Sequence, residues 1–175
     1  TNSENTGRDV NRYFPNAEKK VKRIYLGRDE RVTFNPDRNI LHKFGIDKPY
    51  FVFTGTIEPR KNLVNLLDAY TLFRKGSGFM HMLVIAGRKG WKSRDFFKKL
   101  SAHPYADDIR LCGYVERHEL SALYSHAVAL VYPSKYEGFG LPVVEAMSCG
   151  TPCLLSRNSS LPEVGGDAAL YFDPG

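Results

Sequence analysis

The sequence predicts a doubly wound α/β domain, Rossmann-like, with a parallel sheet covered by helices on both faces. Three observations point there. Short runs apolar on both faces recur from residue 49 to the end of the chain. Amphipathic stretches with a helical period separate them. The first two of the runs close on glycine, before the chain turns into a helix.

Taken in order, PYFVFTG (49–55) is the first strand, ending at Gly55. Leu63, Leu66, Leu67, Tyr70 and Phe73 then keep a helical period over 62–75, with Asn62 as N-cap and Gly76 as stop. HMLVIAG (81–87) is a second strand, followed by a helix near 93–101. IRLCGYV (109–115) leads into a helix over 117–126, and AVALVYPS (127–134) into one from Leu141 to about Ser148. TPCLLS (151–156) and AALYFDP (168–174) complete six strands. No internal repeat competes with this reading.

Residues 1–48 carry one alternating apolar piece, Val21–Leu26, and too little periodic apolar content for a domain. They read as a lead-in or linker from a missing N-terminal domain, and residues 49–175 as the ligand-binding domain. The rhythm calls for a helix after the last strand, so the chain reads as cut at both ends.

A length of 175 residues suits a single core, and 42% apolar with 25% charged residues is ordinary globular composition. No apolar run approaches the ~18 residues of a membrane span, and TNSENTGRDVN has no signal-peptide core. Cys112, Cys149 and Cys153 show no zinc spacing and read as reduced core thiols, which favours a cytoplasmic compartment. The five histidines are scattered. The net charge of +6 concentrates in Lys19–Arg23 and Arg88–Lys99. Such a patch can attract phosphate, nucleic acid or, through peripheral contact, an anionic membrane surface, while a solvated helix face is the favoured reading; no nucleic-acid-binding motif accompanies it.

In open α/β sheets ligands bind beyond the carboxyl ends of the strands. Here those positions hold Gly55 to Asn62, Gly87 to Gly90, Gly113 to Val115 and Pro133 to Gly140, in which glycines and cations cluster. Gly138 and Gly140 allow close backbone approach. Pro142 sits in the first turn of the next helix, whose free N–H groups suit a diphosphate. Glu137 and Glu145, with seven residues between them, can approach different parts of one extended ligand. Arg60 and Lys61 can neutralise a pyrophosphate, unless Arg60 merely pairs with Glu58. There is no G-x-G-x-x-G and no P-loop, which argues against a dehydrogenase and a P-loop phosphoryl transferase. A glycoside hydrolase would also use two carboxylates but has no need of phosphate-cradling loops.

GTIEPRKN, IAGRKG, CGYVERHELSALYSHA and YEGFGLPVVEAMSCGTPCLLSRNSSLPEVGGDAALYFDP together resemble the C-terminal domain of glycosyltransferase family 4, from about Gly55 to Pro174. Glu137 and Glu145 match its E-x7-E pattern. The resemblance implies the C-terminal, nucleotide-sugar-binding half of a GT-B enzyme that transfers a hexosyl group with retention. The hexose is mannosyl or glucosyl, GDP- or UDP-linked, with mannose favoured. It implies that Arg60 and Lys61 bind the donor diphosphate and stabilise the leaving nucleotide. Glu137 meets the sugar hydroxyls, and Gly138, Phe139, Gly140 and Leu141 lie near the sugar and phosphate. Glu145 accepts from the ribose, while Tyr114 and Val115 frame the base beside Gly55. No metal or other cofactor is called for. A glycan or lipid-linked acceptor comes through the missing domain, at the inner face of the membrane. The alternative is a module that holds a nucleotide-sugar without turning it over.

Overall fold

The computed structural model describes residues 1–175. Six strands, β1 (Tyr50–Thr54), β2 (Met82–Ala86), β3 (Ile109–Gly113), β4 (Ala129–Tyr132), β5 (Cys153–Ser156) and β6 (Ala169–Phe172), form one sheet. Its order is β3-β2-β1-β4-β5-β6 and every pair is parallel. The chain therefore winds outward from β1 in one direction, then returns to the middle and winds the other way from β4. The crevice between β1 and β4 is the topological switch point.

The helices are α1 (Glu4–Tyr13), α2 (Asn39–Lys43), α3 (Leu63–Ser77), α4 (Arg94–Ser101), α5 (Arg117–Ser125), α6 (Leu141–Ser148) and α7 (Leu161–Gly165). Helix α3 packs with α4, while α5, α6 and α7 pack in a second layer. Alternation along β1 separates the layers. The Tyr50 hydroxyl donates to the Leu123 carbonyl of α5. The neighbouring Phe51 lines an apolar hollow with Leu66 and Tyr70 of α3. No helix is long and apolar enough to cross a membrane.

Two local expectations need correction. Helix α3 runs through Gly76 and stops at Gly78, whose φ of +71° is left-handed. Gly76 has no such φ and simply tolerates the helix. Asn62 does precede α3, but with φ +59° and without side-chain capping; its amide donates to the Pro174 carbonyl instead. Ahead of β1, Val32, Leu41 and Ile46 are buried in the main core. Helix α1 lies against the last helix: the Glu163 carboxylate accepts from the Glu4 N–H at 2.7 Å.

Backbones meet closely at the switch point. A Cβ on Gly87 would lie 1.9 Å from the Gly55 carbonyl oxygen, so only glycine allows the loops after β1 and β2 to touch. The Ile57–Lys89 bridge and a Gly90 N–H to Ile57 carbonyl bond then tie these loops together.

Candidate functional site

The loop after β1 makes one 3-10 turn, Pro59–Lys61, which turns adjacent cations in different directions. Lys61 points inward and is buried, its alkyl chain packed on Gly55. Arg60 stays partly exposed. The Lys135 N–H donates to the Arg60 carbonyl at 2.8 Å and draws the loop after β4 alongside.

That loop carries Glu137, which is only 6% exposed. Its two oxygens face different cations: Lys61 Nζ lies 2.6 Å from Oε1 and Arg60 Nη1 2.8 Å from Oε2. Lys61 also donates to the Tyr132 hydroxyl at 2.6 Å. Arg60 turns Nε and Nη2 toward Glu58 Oε1, at 3.1 and 2.7 Å. So Arg60 pairs with Glu58 and with Glu137 together. Burial works to raise the Glu137 pKa, but Lys61, Ser134 and Arg60 outweigh it and hold the carboxyl below its ordinary value. The Ser134 hydroxyl beside it is fully buried and has no well-formed hydrogen bond of its own.

Beyond Glu137 the backbone turns through Gly140, whose φ of +109° is closed to other residues, and enters α6 with Pro142 in its first turn. The N–H groups of Gly138, Phe139, Gly140 and Leu141 donate to no group of the protein. They are the free donors expected at a helix start. Ser160 fixes the turn from below, its hydroxyl in reach of the Glu137 and Phe139 carbonyls at 3.0 and 2.8 Å. Helix α1 closes the outside: Thr6 Oγ1 donates to the Gly138 carbonyl at 3.2 Å and the Tyr136 hydroxyl to Asp9 at 2.5 Å.

Next to this ion cluster is a hollow of about 420 Å³, within the range of small-molecule sites. Gly55, Tyr114, Val115 and Glu145 all line it, joined by Arg88, Arg117 and Tyr124. Burial raises the Glu145 pKa despite the nearby Arg117 and Tyr124. Its Oε2 accepts from the Tyr124 hydroxyl at 3.3 Å, which in turn shares a 2.6 Å bond with Thr54 of β1. The Arg88 guanidinium sits 4.5 Å from the centre of the exposed Tyr114 ring.

The residues singled out from sequence thus form two adjoining groups. Glu145, Tyr114, Val115 and Gly55 make a half-enclosed hollow, and Arg60, Lys61 and Glu137 an ion cluster at its side. Gly55 belongs to both, and the turn 138–141 leads from the cluster to α6. Sequence reasoning missed Tyr132 and Tyr124, since a buried tyrosine in a strand or helix carries no signal distinct from packing; Arg88 and Ser134 lay in the strand-end loops it named but were not singled out. The three cysteines are unpaired, with Cys149 and Cys153 buried.

Comparison with known proteins gives the chain a family. Residues 37–175 match the family described as Glycosyl transferases group 1. The chain is 45% identical over 125 residues to O-antigen chain mannosyltransferase B of Escherichia coli, covering 71% of this chain and 33% of that protein. Among solved structures, Anabaena Alr3699/HepE in complex with UDP-glucose superposes with a TM-score of 0.83 at 20% identity, over 100% of this chain and 49% of that one. Sucrose-phosphate synthase from Thermosynechococcus elongatus gives 0.79 at 22% identity, over 99% and 44%. These likenesses carry the Rossmann-like fold of a GT-B half. The chain spans a third of the mannosyltransferase and under half of each solved chain.

Proposed function

The chain belongs to the glycosyl transferases group 1 family, and from that premise we propose that it is the donor-binding half of a retaining hexosyltransferase of glycosyltransferase family 4. The observation that carries this reading is the hollow at the β1/β4 switch point with the Arg60–Lys61–Glu137 cluster at its side. A nucleoside fits the hollow, with Glu145 accepting from the ribose hydroxyls and the backbone of Tyr114 and Val115 framing the base. The diphosphate then falls at Arg60, Lys61 and the free N–H groups of 138–141. The sugar comes to Glu137.

Transfer breaks the bond between the anomeric carbon and the diphosphate, so negative charge grows on the departing phosphate. Fixed cations and N–H donors placed there stabilise that charge without reorganisation. Glu137 steadies the positive charge on the sugar ring, and the acceptor hydroxyl attacks from the face the nucleotide leaves, giving its proton to the departing phosphate. These side chains supply the electrostatics without a metal. Similarity to an O-antigen mannosyltransferase supports GDP-mannose as donor, and the fold shared with HepE in its UDP-glucose complex supports UDP-glucose as the alternative. The acceptor is a glycan or lipid-linked glycan at the cytoplasmic membrane face, held with the help of a second domain. The relatives are two to three times longer than their match to this chain, which supports a second reading of the isolated chain as a nucleotide-sugar-binding module.

Calorimetry with GDP and UDP tests the assignment, and Glu145→Gln sharpens it. A charged acceptor on a hydroxyl contributes about 1.5–3 kcal/mol, so the variant should bind the preferred nucleotide at least tenfold more weakly. The 2′,3′-dideoxy nucleotide should bind both proteins alike. Equal losses for both ligands would remove Glu145 from the ribose. A transfer assay on this chain and on a form carrying an acceptor domain should show turnover only in the second.

A further inference from the structure

We propose that Glu137 and the donor's diphosphate compete for the same two cations, so that the carboxylate becomes a full-strength acceptor for the sugar as the diphosphate draws Arg60 and Lys61 away. The inference rests on the donor-binding reading above and adds an order of events to it.

The geometry makes the competition direct. Each Glu137 oxygen is already engaged by a cation, Oε1 by Lys61 and Oε2 by Arg60. About two of its four lone-pair sites are taken, and the adjacent cations draw charge from the other two, which weakens them as acceptors for hydroxyls. Arg60 has its other edge on Glu58 and spends Nη1 on Glu137 and the Tyr136 carbonyl. One Nη2 N–H is left, so a two-pronged grip on a phosphate has to draw Nη1 away from Glu137. Lys61, buried between Tyr132 and Glu137, has one N–H left, and its single positive charge is then shared between the carboxylate and a phosphate.

Burial sets the outcome of the exchange. Glu137 is 6% exposed, so a carboxylate stripped of both cations needs other donors at once. The Ser134 hydroxyl, fully buried beside it and already helping to hold the charge, is free to close on it further. The hydroxyls of the donor sugar are the rest. An intact sugar nucleotide satisfies both sides of the exchange. A nucleoside diphosphate alone takes the cations and leaves a buried carboxylate underserved. The site therefore favours substrate over leaving group, and Glu137 helps expel the product by reclaiming its counter-ions.

The sign of one variant is the test. Glu137→Gln removes the competing charge while keeping the side chain's shape. It should bind GDP or UDP about tenfold more tightly than wild type, and it should lose the preference for the sugar nucleotide over the nucleoside diphosphate. Unchanged or weaker binding by a folded Glu137→Gln chain overturns the proposal. A measurement on wild type guards against misfolding of the variant. With 13C-carboxyl glutamate, Glu137 should titrate below the ordinary range, and its midpoint should rise when the nucleoside diphosphate binds. Lys61 and Arg60 from the loop after β1, Tyr132 from β4 and Ser134 are the groups that face it. A midpoint that stays in place overturns the exchange. Failure of wild type to bind either nucleotide would instead strike the donor-binding assignment, and the exchange with it.

Discussion

Lys61→Ala should destabilise the domain by about 3–5 kcal/mol, the usual cost of removing one partner from a buried ion pair. Lys61 and Glu137 are 6% and 6% exposed, and they meet at 2.6 Å. Alanine leaves the carboxylate with Arg60 alone and empties the space over Gly55 that the lysine stem fills. The Tyr132 hydroxyl also loses its cation. Urea unfolding followed by far-ultraviolet circular dichroism measures the loss. Its pH dependence has a definite sign. Glu137 has a depressed pKa in the folded protein, so its contribution is present above its unfolded value and disappears as pH falls through the folded one. The deficit of Lys61→Ala should accordingly shrink in acid. A deficit under about 1 kcal/mol, the range of exposed pairs, would mean that the pair is not buried as described.

Gly87→Ala should be comparably damaging, by about 3 kcal/mol or more, since overpacking against backbone has no side chain to yield. The added carbon would stand 1.9 Å from the Gly55 oxygen and 2.6 Å from its carbonyl carbon. Relief requires separating the loops after β1 and β2, which carry the Ile57–Lys89 bridge and the Gly55 N–H to Ala86 bond. Nucleotide affinity should fall with stability, because Gly55 and Gly87 both line the hollow. Gly76→Ala is the matched control. Nothing outside its own stretch of helix backbone lies within 4 Å of its added carbon and the position is helical, so this change should stabilise by about 0.5–1 kcal/mol. Thermal unfolding of the three proteins separates these outcomes.

The strands were readable because each is a short apolar run between turn residues, and all six lie where the pattern puts them. Helix ends were less so. Gly76 and Gly78 both come after the periodic stretch of α3, and only the backbone decides which takes the left-handed conformation. Helices α2 and α7 lack an apolar stripe long enough to announce them, and what docks α1 is Glu163, which is 159 residues away from its partner. The site was readable as a set of residue types beyond strand ends. Its internal wiring was not. The Lys61–Glu137 and Arg60–Glu137 pairs join loops 76 and 77 residues apart in sequence, and adjacent cations gave no sign that one would be buried and the other shared. Tyr132 and Tyr124 look in sequence like any core aromatic.

Trp91 gives the chain an optical consequence. It is the single tryptophan, and the loop after β2 sets its indole N–H on Glu58 Oε2 at 2.9 Å. The other oxygen of the same carboxylate grips Arg60. The emitter stands one side chain away from the guanidinium that faces the phosphate region, with its ring 59% exposed to solvent. Ultraviolet excitation at the red edge of protein absorption therefore reads out one place in the molecule, and that place is wired to the cation pair. A titration of the unlabelled protein can follow Arg60 as it changes partners.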